Sequence, residues 1–251
     1  METSDLAVIV PAFDEEERIA ATVEGAAKVA GVDLVLVVDD GSADGTARRA
    51  REAGAIVVRH GRNRGKAAAM ETGAAALAAI EAREGRAEPR LLLFLDGDLG
   101  ATAANAAPLA EPVRSGAVGM SIATLPPQPG GGHGFVVRLA RGGIRAAVGF
   151  EARQPLSGQR CLSRAAFEAA LPLARGFGAE TGLTIDVLRA GYRIAEVEAE
   201  FRHRVTGTDP GAQLHRARQY RDVALALAVR RVPAPLRPAP RRRRRGPLAE
   251  G

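Results

Sequence analysis

Apolar residues in the first hundred positions fall into four short, nearly unbroken runs at 6–10, 34–38, 56–59 and 91–95. Without the alternation of a half-exposed strand, each run reads as a strand covered on both faces. Between them the pattern lengthens into Ala-rich stretches with helical spacing at about 15–30, 44–53 and 66–83. Strands alternating with helices predict βαβ units, hence an α/β fold with a mostly parallel central sheet and helices on both faces. Ligands of such sheets bind outside the carboxyl ends of the strands. Those positions are strongly polar: Pro11, Asp14 and Glu15 after the first run, Asp39 to Ser42 after the second, Arg62 to Lys66 after the third, and Asp96, Gly97 and Asp98 after the fourth.

The second half is less regular. Residues 126–134 (PPQPGGGHG) predict a loop of the kind that often forms a lid. Helices are expected near 136–147, 163–170, 181–190 and 212–229, with a strand at 192–197. Residues 231–251, with five Pro and five consecutive Arg, predict a disordered tail behind a single domain spanning 1–230.

Charge changes this picture in one respect. The net charge is +6, yet from Arg230 onward eight Arg stand against Glu250 alone, so the folded part is near neutral. A near-neutral body with a basic tail is unlike a basic nucleic-acid-binding domain, and two Tyr, seven Phe and no Trp offer few platforms for base stacking. No specific nucleic-acid partner is expected. The lone cysteine, Cys161, excludes an internal disulfide and fits a reducing compartment. An acidic start without a basic segment, and no apolar stretch near ~18 residues, predict a cytoplasmic protein. The Arg tail allows at most weak peripheral contact with the inner face of a membrane.

Two motifs carry chemistry. In VVDDGSADGT (37–46), Gly41 permits a tight turn, Ser42 or Asp44 can cap the next helix, and Asp40 stands at the sheet edge. Its carboxylate can accept a hydrogen bond from a ring N–H such as that of uracil; alternatively, both aspartates close the turn and cap. In FLDGDLGA (94–101), Asp96 and Asp98 flank a glycine at a strand end. Such a pair can hold a hard divalent cation that leaves coordination positions for diphosphate oxygens, although Asp-Gly-Asp also occurs in ordinary turns.

Taken in order, VIVPAFDEEERI (8–19), VVDDGSADGT, RNRGKAAAM (62–70) and FLDGDLGA resemble glycosyltransferase family 2 and its GT-A relatives over about residues 6–206. The resemblance implies a nucleotide-sugar half at about 1–100 and an acceptor half at about 101–230, in one Rossmann-like GT-A domain. It places Pro11, Glu15, Asp40, Lys66 and Asp96 around a nucleoside diphosphate, with a UDP-sugar favoured over a GDP-sugar. It makes Asp96 and Asp98 a metal-binding Asp-X-Asp motif for Mg²⁺ or Mn²⁺. The stretches PLSGQR (155–160), GFGAETGLTIDVLRAGYRIAEVE (176–198) and HRVTG (203–207) are similar to glucosyl-3-phosphoglycerate synthases, and that similarity makes His203 a third metal ligand. His60, His133 and His215 have no such support. Glu180 falls where inverting members place a general base, whereas in the retaining synthases the equivalent acid is not a base of that kind, so the resemblance leaves the stereochemistry open; Glu180 equally suits a helix N-terminus.

One departure stands against a small phosphorylated acceptor: where the synthases carry Gly-Arg-Val-Thr, this chain has Gly134, Phe135, Val136 and Val137. The acceptor is therefore unassigned; Arg138, Arg141 or Arg145 could substitute for the missing Arg, although each reads more readily as part of a solvated helix face. Rival readings are a polyprenyl-phosphate glycosyltransferase at the membrane surface and a non-catalytic nucleotide-sugar-binding protein. Nucleotidyltransferases are disfavoured because PAFDEEER occupies the place of their Gly-rich phosphate loop. A homodimer is left open. Deleting residues 232–251 is expected to leave the thermal midpoint within a few degrees of the full chain, since a Pro/Arg segment buries little apolar surface; a large drop in a melting scan would show that the tail packs on the body.

Overall fold

The computed structural model describes residues 5–124, 134–202 and 210–230, with the side chains of the last helix described from Ala217 onward. The predicted 126–134 loop falls almost wholly outside these residues, as do His133, His203 and the 231–251 tail.

A seven-stranded sheet forms the centre, in the order β3-β2-β1-β4-β6-β5-β7. Its strands are β1 (Leu6–Ala12), β2 (Val32–Asp39), β3 (Ile56–Arg59), β4 (Leu91–Phe94), β5 (Met120–Thr124), β6 (Arg160–Leu162) and β7 (Ile194–Glu198). Every pairing is parallel except those of β6, which runs antiparallel to both β4 and β5. The helices are α1 (Ile19–Ala26), α2 (Thr46–Glu52), α3 (Lys66–Arg83), α4 (Glu111–Arg114), α5 (Phe135–Val148), α6 (Arg164–Ala169), α7 (Ala179–Arg189) and α8 (Pro210–Arg230), with 3-10 segments at Gly100–Leu109 and Gly176–Gly178. This is the α/β architecture expected, in one domain.

β1 shows how the apolar runs build two cores. Leu6, Val8 and Val10 pack on one face with Ile19 and Val23 of α1 and with Ala103, Ala106 and Leu109. Ala7 and Ile9 point to the other face, with Met70 and Leu77 of α3, Phe167 of α6 and Leu183 of α7. Successive side chains alternate between faces, so a strand buried on both sides must be apolar throughout. In the second core the rings of Phe94 and Phe167 lie 5.2 Å apart.

The structure departs from the sequence reading at three places. α1 begins at Ile19 rather than near Glu15, because the Glu15 and Glu16 amides donate to Thr46 Oγ1 and Asp44 Oδ2 across the neighbouring loop. β5 and β6 were not foreseen: β6 is three residues long and contains Arg160, and β5 includes Ser121 and Thr124. Residues 100–109, unassigned from sequence, form a 3-10 segment containing Pro108. Cys161, on β6, is buried and unpaired, and burial pushes its thiol pKa up. Among the described residues no helix is long and apolar enough to cross a membrane.

Glycines report how tightly the layers meet. A Cβ on Gly73, in the middle of α3, would lie 2.4 Å from Ile9 Cγ2, whereas one on Gly142 in α5 would meet nothing within 4 Å. Gly→Ala in a helix interior ordinarily stabilises by up to ~1 kcal/mol. Gly142→Ala is expected to show that gain in urea denaturation, while Gly73→Ala should lose about 1–3 kcal/mol from overpacking. Equal effects at the two sites would contradict the contact on β1.

Candidate active site

The carboxyl ends of β1, β2 and β4 and the start of α3 open into one cavity of about 680 Å³. One wall of its lining includes Pro11, Phe13, Glu15, Asp40, Asn63, Lys66, Asp96 and Asp98; the opposite wall brings Val136, Leu156, Phe177, Glu180, Gln219 and Val223. Pro11, Glu15, Asp40, Lys66, Asp96, Asp98 and Glu180, all expected from sequence, therefore line the same cavity, whereas Arg138, Arg141 and Arg145 are not among its lining residues. His203 lies outside the described residues.

Lys66 forms the floor. As the first residue of α3 it projects its ammonium between Asp96 Oδ1 at 2.5 Å and Glu180 Oε1 at 2.8 Å. Burial works against the charged form, but the two carboxylates outweigh it and hold the Lys66 pKa above its ordinary value. Lys66 is thus a fixed cation at working pH, not a proton donor. The other Asp96 oxygen accepts from Gln159 Nε2 at 2.7 Å, so both Asp96 oxygens are engaged. Gly158 makes room for this arrangement: a Cβ there would lie 2.5 Å from both Asp96 Oδ2 and Lys66 Nζ.

Glu180 is the second residue of the buried first turn of α7, where a carboxylate also suits the helix dipole. Its contact with Lys66 joins the two halves of the chain. Behind it lies Arg160, fully buried on β6. Its guanidinium donates to the Ser157 and Pro155 carbonyls at 2.8 and 3.1 Å and to Thr184 Oγ1 at 2.9 Å, clamping the 155–159 loop to α7. Burial pulls the Arg160 pKa down to about 10, opposed by the nearby charges of Glu180, Asp96 and Glu196.

Asp40 differs from the open carboxylate expected at the sheet edge. Its Oδ1 accepts from His60 Nδ1 at 2.6 Å and from the Arg64 amide at 2.9 Å, and its Oδ2 accepts from the Gly65 amide at 2.7 Å. An ionised carboxylate only accepts, so Nδ1 carries the His60 proton, and in the neutral ring Nε2 accepts from Thr72 Oγ1, 2.9 Å away. Asp40 still faces the cavity, but it first holds the 63–66 loop that delivers Lys66. The loops after β1 and β2 are knitted in the same way: Asp14, at φ 54°, accepts from the Ala43 amide and donates its own amide to Ser42 Oγ.

His60, Gly158, Gln159 and Arg160 were not identified from sequence as site residues. The available signal was position: His60 directly follows β3, and Gly158-Gln159-Arg160 leads into a strand beside β4.

Comparison with known proteins assigns the class. The Glycosyl transferase family 2 model matches residues 7–155, more than half of the chain, and the chain belongs to that family. It is a glycosyltransferase. Glycosyltransferase AglJ of Haloferax volcanii is 30% identical over 221 residues, covering 83% of this chain and 67% of that protein. Among solved structures, glucosyl-3-phosphoglycerate synthase from Mycobacterium tuberculosis, in complex with Mn²⁺, UDP and phosphoglyceric acid, is 29% identical with a TM-score of 0.71, over 91% of this chain and 79% of that one. The same synthase with Mg²⁺ and UDP gives 27% identity and a TM-score of 0.73, over 91% and 80% of the two chains.

Asp40→Asn would leave one carbonyl oxygen for three donors and is expected to cost about 1–3 kcal/mol, read as a lower urea midpoint at unchanged slope. A midpoint equal to the parent's would show that the carboxylate does not hold the loop.

Proposed function

We propose that this enzyme transfers a sugar from a nucleotide-diphosphate sugar, with UDP as the favoured nucleotide, in a metal-dependent reaction. The observation that carries the reading is the charge of the cavity. Among the described lining residues, five carboxyl side chains (Glu15, Asp40, Asp96, Asp98 and Glu180) face a single cation, Lys66. An anionic diphosphate would meet repulsion in a pocket of that sign unless a cation entered with it.

The residues fit a hard divalent ion. Asp96 and Asp98 supply carboxylate oxygens on one wall of the cavity, the donor type that Mg²⁺ and Mn²⁺ prefer. Among the described residues no group of three or more His, Cys, Asp or Glu side chains could hold a metal, so the site needs a further ligand. On the resemblance to the synthases His203 would supply the third ligand, with diphosphate oxygens and water completing the set. The bound ion would neutralise charge on the departing nucleoside diphosphate. The Mn²⁺ and Mg²⁺ complexes of the mycobacterial synthase with UDP support this assignment.

The chain's own residues supply the rest. Pro11, half-exposed Phe13 and the Asp40 loop form the side that would receive the base and ribose, Phe13 offering an aromatic face. Lys66 faces the diphosphate as a fixed positive charge, and Glu15 flanks it. Glu180 approaches from the acceptor side, where it would take the proton of an acceptor hydroxyl; accepting that proton competes with its Lys66 contact. The family membership and the intact carboxylate pair make a non-catalytic binding protein the weaker reading.

Calorimetry with UDP tests the proposal. Binding is expected with Mn²⁺ or Mg²⁺ and is expected to collapse in EDTA. Asp98→Ala should abolish the metal-dependent part and lower donor turnover by orders of magnitude, and His203→Ala should weaken metal affinity roughly 10-fold. UDP binding of equal strength with and without metal would sink the proposal.

A further inference from the structure

His60 directly follows β3, and its amide donates to the Asp39 carbonyl at 2.9 Å, which seats its ring beside Asp40 at the end of the neighbouring strand. The residue is only 7% exposed and its ring bridges two elements: Nδ1 donates to Asp40 Oδ1 at 2.6 Å, and Nε2 accepts from Thr72 Oγ1 of α3 at 2.9 Å. Both ring nitrogens are matched, so the ring has one orientation and its N–H one target.

An ionised carboxylate offers about two acceptor sites on each oxygen. On Asp40 the His60 Nδ1–H and the Arg64 amide fill Oδ1, and the Gly65 amide takes one site of Oδ2. A single acceptor site is left, on Oδ2, in a side chain that lines the cavity. Without His60 one site would be open on each oxygen. Asn63, one residue before Arg64, is exposed in the same lining, and its carboxamide can donate to a neighbouring carbonyl. Nucleotide bases differ in what they ask of such a pair. Uracil presents one N–H between two carbonyl oxygens, which one acceptor and a flanking donor satisfy. Guanine presents two adjacent N–H groups beside one carbonyl, and a carboxylate matches both only with a free site on each oxygen. An N–H left unmatched in a closed site costs about 10-fold in affinity.

Resting on the nucleotide-sugar reading, we propose that His60 is a specificity-determining residue for the donor. By occupying Asp40 Oδ1 and fixing the rotation of the carboxylate, it leaves Asp40 a single acceptor, which admits uracil and turns away guanine. His60 is not among the lining residues, so it acts through Asp40 as a positioning residue. Thr72 holds it there from the second turn of α3.

Calorimetry of the full chain with Mn²⁺ and, in turn, UDP, GDP and pyrophosphate tests this. The parent is expected to bind UDP about 10-fold or more tightly than GDP. His60→Ala opens Oδ1 and lets the carboxylate turn, so that preference is expected to fall by about 5-fold or more, while pyrophosphate, which has no base, binds as before. His60→Asn, whose carboxamide nitrogen can take the place of Nδ1, should restore most of the preference. Thr72→Val keeps His60 but releases its Nε2 end, and should give an intermediate preference; it carries the test if His60→Ala folds poorly. A loosened site would weaken all three ligands alike. That pattern, a parent with no preference for UDP over GDP, or an unchanged preference in the folded variants overturns the proposal. Metal-dependent UDP binding with an unchanged preference sinks this inference alone, whereas absence of metal-dependent binding of either nucleotide sinks the donor reading beneath it.

Discussion

The Lys66 ammonium lies between a carboxylate from the end of β4 and one from the start of α7, residues 96 and 180 of a chain whose two halves meet there. Two carboxylates brought this close repel each other in a partly buried site, and one shared cation turns that repulsion into a bridge. The rest of the site is built to keep the bridge in place. Asp40 takes the Arg64 and Gly65 amides so that Lys66 begins α3 at the right point, Gln159 holds the far oxygen of Asp96, and Arg160 ties the 155–159 loop to the helix that carries Glu180. A side chain at Gly158 would press on the bridge, since its Cβ would lie 2.5 Å from Asp96 Oδ2 and from Lys66 Nζ.

The same construction sets the charge of the cavity. With Asp96 and Glu180 already sharing Lys66, the described lining residues hold no further cation. On the metal-dependent reading proposed above, a diphosphate and a metal ion would each supply the charge the other lacks, as linkage requires when two ligands of opposite charge share a cavity.

The donor half was legible in the sequence because its chemistry follows directly from strand order. In a parallel sheet every carboxyl end points to the same edge, so Pro11, Asp40 and Asp96 had to converge once the apolar runs were recognised. Lys66 was placed by the resemblance and by its position after β3. The acceptor half was less legible, for physical reasons. β6 is held by its neighbours rather than by its own composition, and its Arg160 looks polar and exposed in sequence although its donors are satisfied by carbonyls inside the fold. His60 was passed over because nothing near it in sequence marks a partner; its two partners, Asp40 and Thr72, lie 20 and 12 residues away. Asp40 was placed at the right edge, but its hydrogen bonds to the next loop could not be read from one strand end.

The same asymmetry bears on how such an enzyme can change its substrate. The polar wall is a lattice of mutual hydrogen bonds in which Asp40, Asp96 and Lys66 each have at least two partners or a charge to balance, with Glu180 reaching across to Lys66, so substitution at one disturbs the others. The opposite wall is made of side chains from α5, α8 and two loops, backed by the Ala140, Ile144 and Leu227 cluster and tied to the polar side through Glu180 and Arg160. A change at half-buried Val136 there alters the cavity surface while leaving the bridge at Lys66 intact. A polar wall intolerant of change and an apolar wall that can be altered therefore follow from where the polar and apolar contacts fall.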